Sequence, residues 1–307
     1  MTTYEVIPNF MTNQVGLFED YKAERPLRIA MLIQTYHPAL GGAGKQLSIL
    51  APLLKRQGID LHIITLRQPG MNRFEIVKGV PVHRLAIPMS DVMKSMSFSL
   101  NAMPLLRQLQ PDLVHSHALL SPTTTAVMAK RLNGTPVVAK VLRSGILGDI
   151  SKLRRKPFGA RRMAAFKTYV DAFIAESQEI NRELRDAGIP TDKRIFIPNG
   201  VDTSRFKPVG PLVKRAIRTN LKLPEGPLVI FTGRLTMDKR LDQLIYVWND
   251  VRKKYHNANL LIVGGGEQES RLRSLAGDGV IFTGHVGEVT PYLNAADLFI
   301  LPSATGG

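Results

Sequence analysis

Apolar residues along this chain keep two alternating rhythms. Short, largely apolar runs at 28–33, 61–66, 113–116, 137–141, 173–175 and 194–197 have the length of buried strands. Between them, apolar positions recur every three or four residues over 46–57, 91–109, 123–132, 160–170 and 178–187, the spacing of one helix face. A further stretch, 75–85, is broken by Lys78-Gly79 and predicts a β-hairpin. Strands and helices in turn predict a parallel sheet covered on both faces. The rhythm pauses after Asp202, where Pro208-Val-Gly-Pro211 punctuates the chain ahead of a polar helix at 213–221. It resumes with apolar runs at 229–231, 259–263 and 280–282, then a short helix and strand within 293–303. The expected layout is α/β throughout: a loosely held extension at 1–26, a first domain at 27–205, a junction at 206–226 and a second domain at 227–307.

The second domain carries the most pointed chemistry. The run ending at Phe231 leads directly into Phe231-Thr-Gly-Arg-Leu-Thr-Met-Asp-Lys-Arg240, and Leu241, Leu244, Ile245 and Trp248 follow at helical spacing. Gly233 to Lys239 are therefore expected to join a buried strand to a helix N-terminus, where open α/β sheets bind their ligands. Arg234 and Lys239 beside free backbone N–H groups suit a diphosphate that gains negative charge as it departs. Solvated charges on an ordinary surface loop have the same composition, so repetition matters. Asn259 to Val263 ends in Gly264-Gly265-Gly266-Glu267, and Val280 to Phe282 ends in Thr283-Gly284-His285-Val286. Successive glycine-ended strands describe a nucleotide site better than one alone.

In the first domain, His117 closes the strand of Pro111-Asp-Leu-Val-His-Ser-His117, which aims it from the carboxyl edge of the sheet into a cleft between the domains. A satisfied structural histidine is the other reading of that position. His115, two residues earlier, shares its face and reads as packing. Two glycine patterns mislead. Ala39-Leu-Gly-Gly-Ala-Gly-Lys45-Gln46 imitates a P-loop but has Ala39 for the first glycine and Gln46 for the hydroxyl that reaches magnesium. The dinucleotide fingerprint fails too, with Leu47 for the third glycine and Thr65-Leu66-Arg67, without an acid, ending the next strand. ATPase and nicotinamide chemistry are set aside.

Taken in order, these segments resemble the retaining nucleotide-sugar glycosyltransferases of family 4. In the first half the resemblance rests on Arg28-Ile-Ala-Met-Leu-Ile33, Tyr36-His-Pro-Ala-Leu-Gly-Gly42, the strand ending at His117, and Ile195-Phe-Ile-Pro-Asn-Gly-Val-Asp202 with Phe206 after it. In the second it rests on the three glycine loops and on Ala296-Asp-Leu-Phe-Ile-Leu-Pro-Ser303. The resemblance implies a GT-B fold, two Rossmann-like domains facing across a cleft. It implies transfer of a sugar from a UDP- or GDP-sugar, with retention at the anomeric carbon, to a sugar, lipid or polysaccharide-precursor acceptor. Arg234 and Lys239 would stabilise the departing diphosphate and His117 would contact the transferred sugar. Bare backbone at Gly41 and Gly42 would admit a sugar or phosphate to a helix start, and Asn199, with Gly200, would set hinge geometry and touch substrate. Gly265, Gly266 and Glu267 would line the nucleotide side, and the backbone around His285 and Val286 would meet the base. The paired cations would stand in for a metal. No Asp-x-Asp pair occurs, and neither metal nor cofactor is expected.

Two departures qualify the match. The family's lysine is usually followed by glycine, where this chain has Arg240. Family members also carry a Glu-x7-Glu motif beyond the segment equivalent to Leu301-Pro-Ser303, where this sequence reads Ala304-Thr-Gly-Gly307. The expectation is an incomplete second domain with impaired transfer; the alternative is a non-catalytic fragment that binds nucleotide or a membrane surface.

Composition adds a compartment and a partner. The 307 residues contain no cysteine, which excludes disulfides and thiolate chemistry and fits a reducing compartment. With no apolar run of spanning length and no signal-like start, the expected location is cytoplasmic, with peripheral attachment to the inner membrane face as an option. The net charge of +16 favours anionic surfaces. Much of it falls within 152–169, where Lys152, Arg154, Arg155, Lys156, Arg161, Arg162 and Lys167 interleave with Leu153, Phe158, Met163, Phe166 and Tyr169. That pattern is either a helix for an anionic membrane surface or a packed helix with a solvated basic face. Met89 to Leu106 reads as an apolar lip or as core. No nucleic-acid module is present, and no nucleic-acid partner is expected.

Overall fold

The computed structural model describes residues 25–38, 41–86 and 91–303, the side chains of 91–95 excepted. The extension expected at 1–26 lies almost wholly outside the described residues, as do Ala39, Leu40 and Ala304 to Gly307. The chain forms two compact units, divided between Pro198 and Asn199.

In the first unit the elements run β1 (Arg28–Leu32), α1 (Gly42–Arg56), β2 (Asp60–Leu66), β3 (Phe74–Val77), β4 (Val80–Leu85), α2 (Asp91–Leu109), β5 (Leu113–His117), α3 (Ser121–Asn133), β6 (Val137–Val141), α4 (Asp149–Arg155), α5 (Gly159–Tyr169), β7 (Ala172–Ala175), α6 (Gln178–Asp186) and β8 (Arg194–Phe196). The sheet order is β3-β4-β2-β1-β5-β6-β7-β8, parallel except for the β3–β4 hairpin. The hairpin turns at Lys78 and Gly79, both with positive φ, as a tight two-residue turn demands. Strand order grows outward in both directions from β1 and β5, so the topological switch lies between their carboxyl ends.

Alternation along the strands sorts side chains to two faces. Val114, Val137, Ala139, Val141, Phe173 and Ala175 pack with the inward faces of α2 to α6, while Ile29, Met31 and Ile33 pack with Leu47 and Ala51 of α1. The stretch read as lip or core divides along α2. Phe98, Ala102, Met103 and Leu106 are buried, and Met96 and Leu100, one turn apart, are exposed.

The second unit runs α7 (Pro211–Asn220), β9 (Leu228–Thr232), α8 (Leu241–Lys254), β10 (Asn259–Val263), α9 (Glu269–Leu275), β11 (Val280–Gly284), α10 (Thr290–Ala295) and β12 (Leu298–Phe299). Its parallel sheet is ordered β11-β10-β9-β12, which places a second switch point between β9 and β12. Trp248, Leu244 and Leu272 cover one face, and Ala295, with Ile217 and Leu221 at α7 and its end, covers the other. The helix read from sequence as part of a junction is thus α7, packed on this unit's sheet. Arg218 fixes it there by donating to Asp297 at 2.7 Å and to the carbonyls of Ala295 and Gly226, each at 2.8 Å.

Candidate functional site

At the carboxyl edge of the second sheet, the loops after β9 and β10 are zipped together by backbone hydrogen bonds. Gly233 donates to Val263, Leu235 to Gly265 and Gln268 to Leu235, each at 3.0 Å. Such contact leaves no room for side chains. A Cβ on Gly264 would stand 1.9 Å from the Gly233 carbonyl oxygen, and one on Gly266 would stand 2.5 Å from that of Leu235. The glycine run after β10 is therefore dictated by the neighbouring loop, and the zipped pair presents Arg234 outward. Arg234 is exposed; its carbonyl accepts from the Thr236 N–H at 3.1 Å, and its guanidinium makes no hydrogen bond or ion pair among the described residues. Lys239 closes a single 3-10 turn, 237–239, with Nζ 3.7 Å from Asp238, whose carboxylate accepts the Thr236 hydroxyl at 2.6 Å. Arg240 follows with φ 52° as the N-cap of α8.

The other residues proposed for this edge divide into neighbours and bystanders. Gly265 lies against His285, since a Cβ there would stand 3.8 Å from both the Cβ and backbone N of His285. Glu267 and His285 are exposed beside it. The Val286 side chain packs into the core with Leu228 and Ile230, which leaves its backbone available. Asn199 is exposed at the start of the second unit, in the segment between β8 and α7.

In the first unit, Gly41 caps α1 without a side-chain bond, and Gly42 opens the helix with open space around its Cα. Across the switch point, Gln34 Nε2 donates to Ser121 Oγ at 2.6 Å, tying the loop after β1 to the start of α3. His117 is 1% exposed, and both its ring nitrogens are buried without a partner. Its ring stacks on His115, centroids 4.5 Å apart. Burial pushes His115 down to about 4, helped by Lys140. Burial, then His115, then Lys140 push His117 well below the ordinary imidazole range, so both rings are neutral at pH 7.

Three residues here escaped the sequence reading. Lys140 and Glu176 form an enclosed ion pair at 3.1 Å. Buried Asp149 accepts backbone N–H bonds from Leu119 at 3.2 Å and Leu142 at 3.1 Å, binding the loops after β5 and β6 together. Burial raises its pKa against those two bonds. The available signal was Lys140 itself, a charge inside the apolar run Val137-Val-Ala-Lys-Val141.

The basic segment is two helices with a corner. Leu153, Met163 and Phe166 are buried, and Arg154, Arg155, Lys156 and Arg161 are exposed. Phe158 occupies the corner, 71% exposed, at φ 58°. Ile146, 70% exposed, lies close by, its carbonyl accepting from Arg155 at 2.8 Å.

Comparison with known proteins identifies this arrangement. The profile of Glycosyltransferase Family 4 matches residues 40–205, and that of Glycosyl transferases group 1 matches 226–307. The chain belongs to glycosyltransferase family 4. Among curated relatives, the alpha-monoglucosyldiacylglycerol synthase of Streptococcus pneumoniae is 24% identical over 305 residues, 91% of this chain and 66% of that protein. A GDP-mannose-dependent alpha-(1-6)-phosphatidylinositol monomannoside mannosyltransferase of Mycobacterium tuberculosis is 37% identical over 119 residues, 36% of this chain and 31% of that protein. This family 4 chain thus spans two thirds or less of the length of these relatives. Among solved structures, sucrose-phosphate synthase from Thermosynechococcus elongatus superposes with a TM-score of 0.71 at 19% identity, covering 90% of this chain and 75% of that one. Anabaena HepE in complex with UDP and glucose gives 0.70 at 17%, covering 90% and 74%. These neighbours are GT-B glycosyltransferases, and the likeness establishes that fold.

Proposed function

We propose that this protein transfers a sugar from a nucleotide diphosphate sugar to an acceptor with retention of anomeric configuration, without a metal ion. The observation that carries the reading is the zipped pair of glycine loops after β9 and β10, whose β9 loop borders the switch point and carries Arg234 and Lys239 into the N-terminus of α8. Two fixed cations at a helix start neutralise a departing diphosphate, the role a divalent ion fills in other sites. Gly265, Gly266, Glu267 and the His285–Val286 backbone line the nucleotide, while His117, Gly41, Gly42 and Asn199 serve the sugar and acceptor side. Family membership supports the reaction class. The relatives' names support a lipid or sugar acceptor, and they divide between GDP-mannose and glucose chemistry, so both UDP- and GDP-sugars are donors to try.

The exposed corner at Phe158, ringed by basic residues, supports docking on an anionic membrane where a lipid acceptor resides. Among the described residues, no helix is long and apolar enough to cross a membrane.

The test is donor binding and turnover with and without EDTA. Arg234→Ala and Lys239→Ala each lower kcat/KM about 10²- to 10³-fold, the scale for removing one preorganised charge stabiliser. Absence of calorimetric heat with every UDP- and GDP-sugar tried would overturn the reading, and an inverted product anomer by NMR would remove retention.

A further inference from the structure

Three neighbouring strands bring a polar row to one face of the first unit's sheet. His117 closes β5, its register partner Lys140 lies on β6, and Glu176 follows the last residue of β7. Alternation commits Val137, Ala139 and Val141 to the large core, so Lys140 projects from the opposite face, beside His117. Its side chain is 7% exposed and that of Glu176 18%. Desolvation offsets most of the attraction in so enclosed a pair, so stability alone gives little reason for it. Its neighbour supplies one, since His117 holds two buried ring nitrogens with no partner.

We propose that Lys140, anchored by Glu176, is a positioning residue for His117, holding the imidazole as an uncharged group with one donating and one accepting nitrogen for a sugar hydroxyl. An imidazolium has donors only and carries a charge that a neutral hydroxyl does not need. Lys140 disfavours that form directly, because a fixed like charge on the adjoining strand opposes proton uptake. The groups acting on the ring are His115 from β5 and Lys140 from β6; Glu176 beyond β7 pairs with Lys140, and Asp149 of α4 is in electrostatic contact with Glu176. Burial and His115 act in the same direction as Lys140. Glu176 fixes the ammonium in place at 3.1 Å.

This role presupposes the sugar-transfer reading, and the experiment separates the two. Imidazole-detected NMR titration of the full chain follows His117 in wild type, Lys140→Met and Lys140→Arg. The expected result is a His117 midpoint that rises in Lys140→Met, though burial and His115 still hold it below the ordinary imidazole range, and that does not rise in Lys140→Arg. The acid limb of kcat/KM moves upward with it. A pair with Glu176 also neutralised, Lys140→Met with Glu176→Gln, gives the same upward shift should the single variant not fold. An unchanged midpoint in every folded Met variant overturns the proposal. A shifted midpoint combined with unaltered nucleotide-sugar affinity in His117→Ala overturns the sugar contact on which it rests, a separate failure.

Discussion

Arg240 illustrates how one residue carries the cost of a loop. The chain leaves the 3-10 turn and enters α8 through a left-handed residue, φ 52°, where family relatives by resemblance have glycine. A side chain in that conformation costs about 1–2 kcal/mol, and glycine would return part of the gain, about 0.4–1 kcal/mol, as unfolded-state entropy. Arg240→Gly should therefore stabilise the second unit by up to about 1 kcal/mol, read as a higher midpoint in denaturant unfolding followed by Trp248 fluorescence. An unchanged or lowered midpoint would mean that the Arg240 bond to Gln243 outweighs the strain. The departure noticed in sequence thus has a backbone meaning that only φ reveals.

Between elements, two polar anchors add to the apolar packing of helices. Lys193 Nζ donates to the carbonyls of Lys167 at 2.9 Å, Thr168 at 3.4 Å and Val170 at 2.8 Å, so one cation closes the C-terminus of α5. Charge and hydrogen bonds both favour that site. Lys193→Ala should lower the first unit's stability by about 1–2 kcal/mol and raise hydrogen exchange at the end of α5 before other helices. In the second unit, Asp297 accepts from the Leu228 N–H at 2.8 Å and pairs with Lys214 and Arg218, joining α7, β9 and the approach to β12. Burial alone would raise its carboxyl, yet the three donors outweigh burial and hold it at about 2. A depressed carboxyl contributes stability above its unfolded value near 4, which fades as pH falls through about 2. Acid unfolding of the second unit should show this loss between pH 4 and 2, and Asp297→Asn should flatten that limb. A wild-type limb as flat as the variant's would remove Asp297 from the account.

For the whole molecule, charge distribution decides more than charge total. The net +16 says only that anions attract the chain, whereas the α4–α5 corner gathers Arg154, Arg155, Lys156 and Arg161 around exposed Phe158. Near an anionic bilayer each basic residue is worth about 1 kcal/mol, roughly fivefold in affinity. Replacing Arg154, Arg155, Lys156 and Arg161 by Gln should cut sedimentation with phosphatidylserine vesicles by about that factor per charge, with a weaker salt dependence. Phe158→Ser should weaken binding at all salt concentrations. Equal binding by wild type and the four-fold variant would return the segment to its other reading, a packed helix with a solvated face.

The α/β class, the alternation of strands and helices, the hairpin at Lys78-Gly79 and the loop carrying Arg234 and Lys239 were all legible in sequence. Each depends on local rules: apolar period, glycine punctuation, and charge beside a helix start. What the sequence left open depends on which segments become neighbours. The junction helix turned out to pack on the second sheet because Ile217, Leu221 and Arg218 find partners about 80 residues further on, at α10 and Asp297. The glycines after β10 are set by the loop after β9, and the pairing of Lys140 with Glu176 beside His117 arises where three strands separated in sequence lie side by side. Periodicity fixes which face a residue takes within its own element. Only the folded sheet brings distant faces within bonding distance, because hydrogen bonds and ion pairs act over a few ångströms, whatever the separation along the chain.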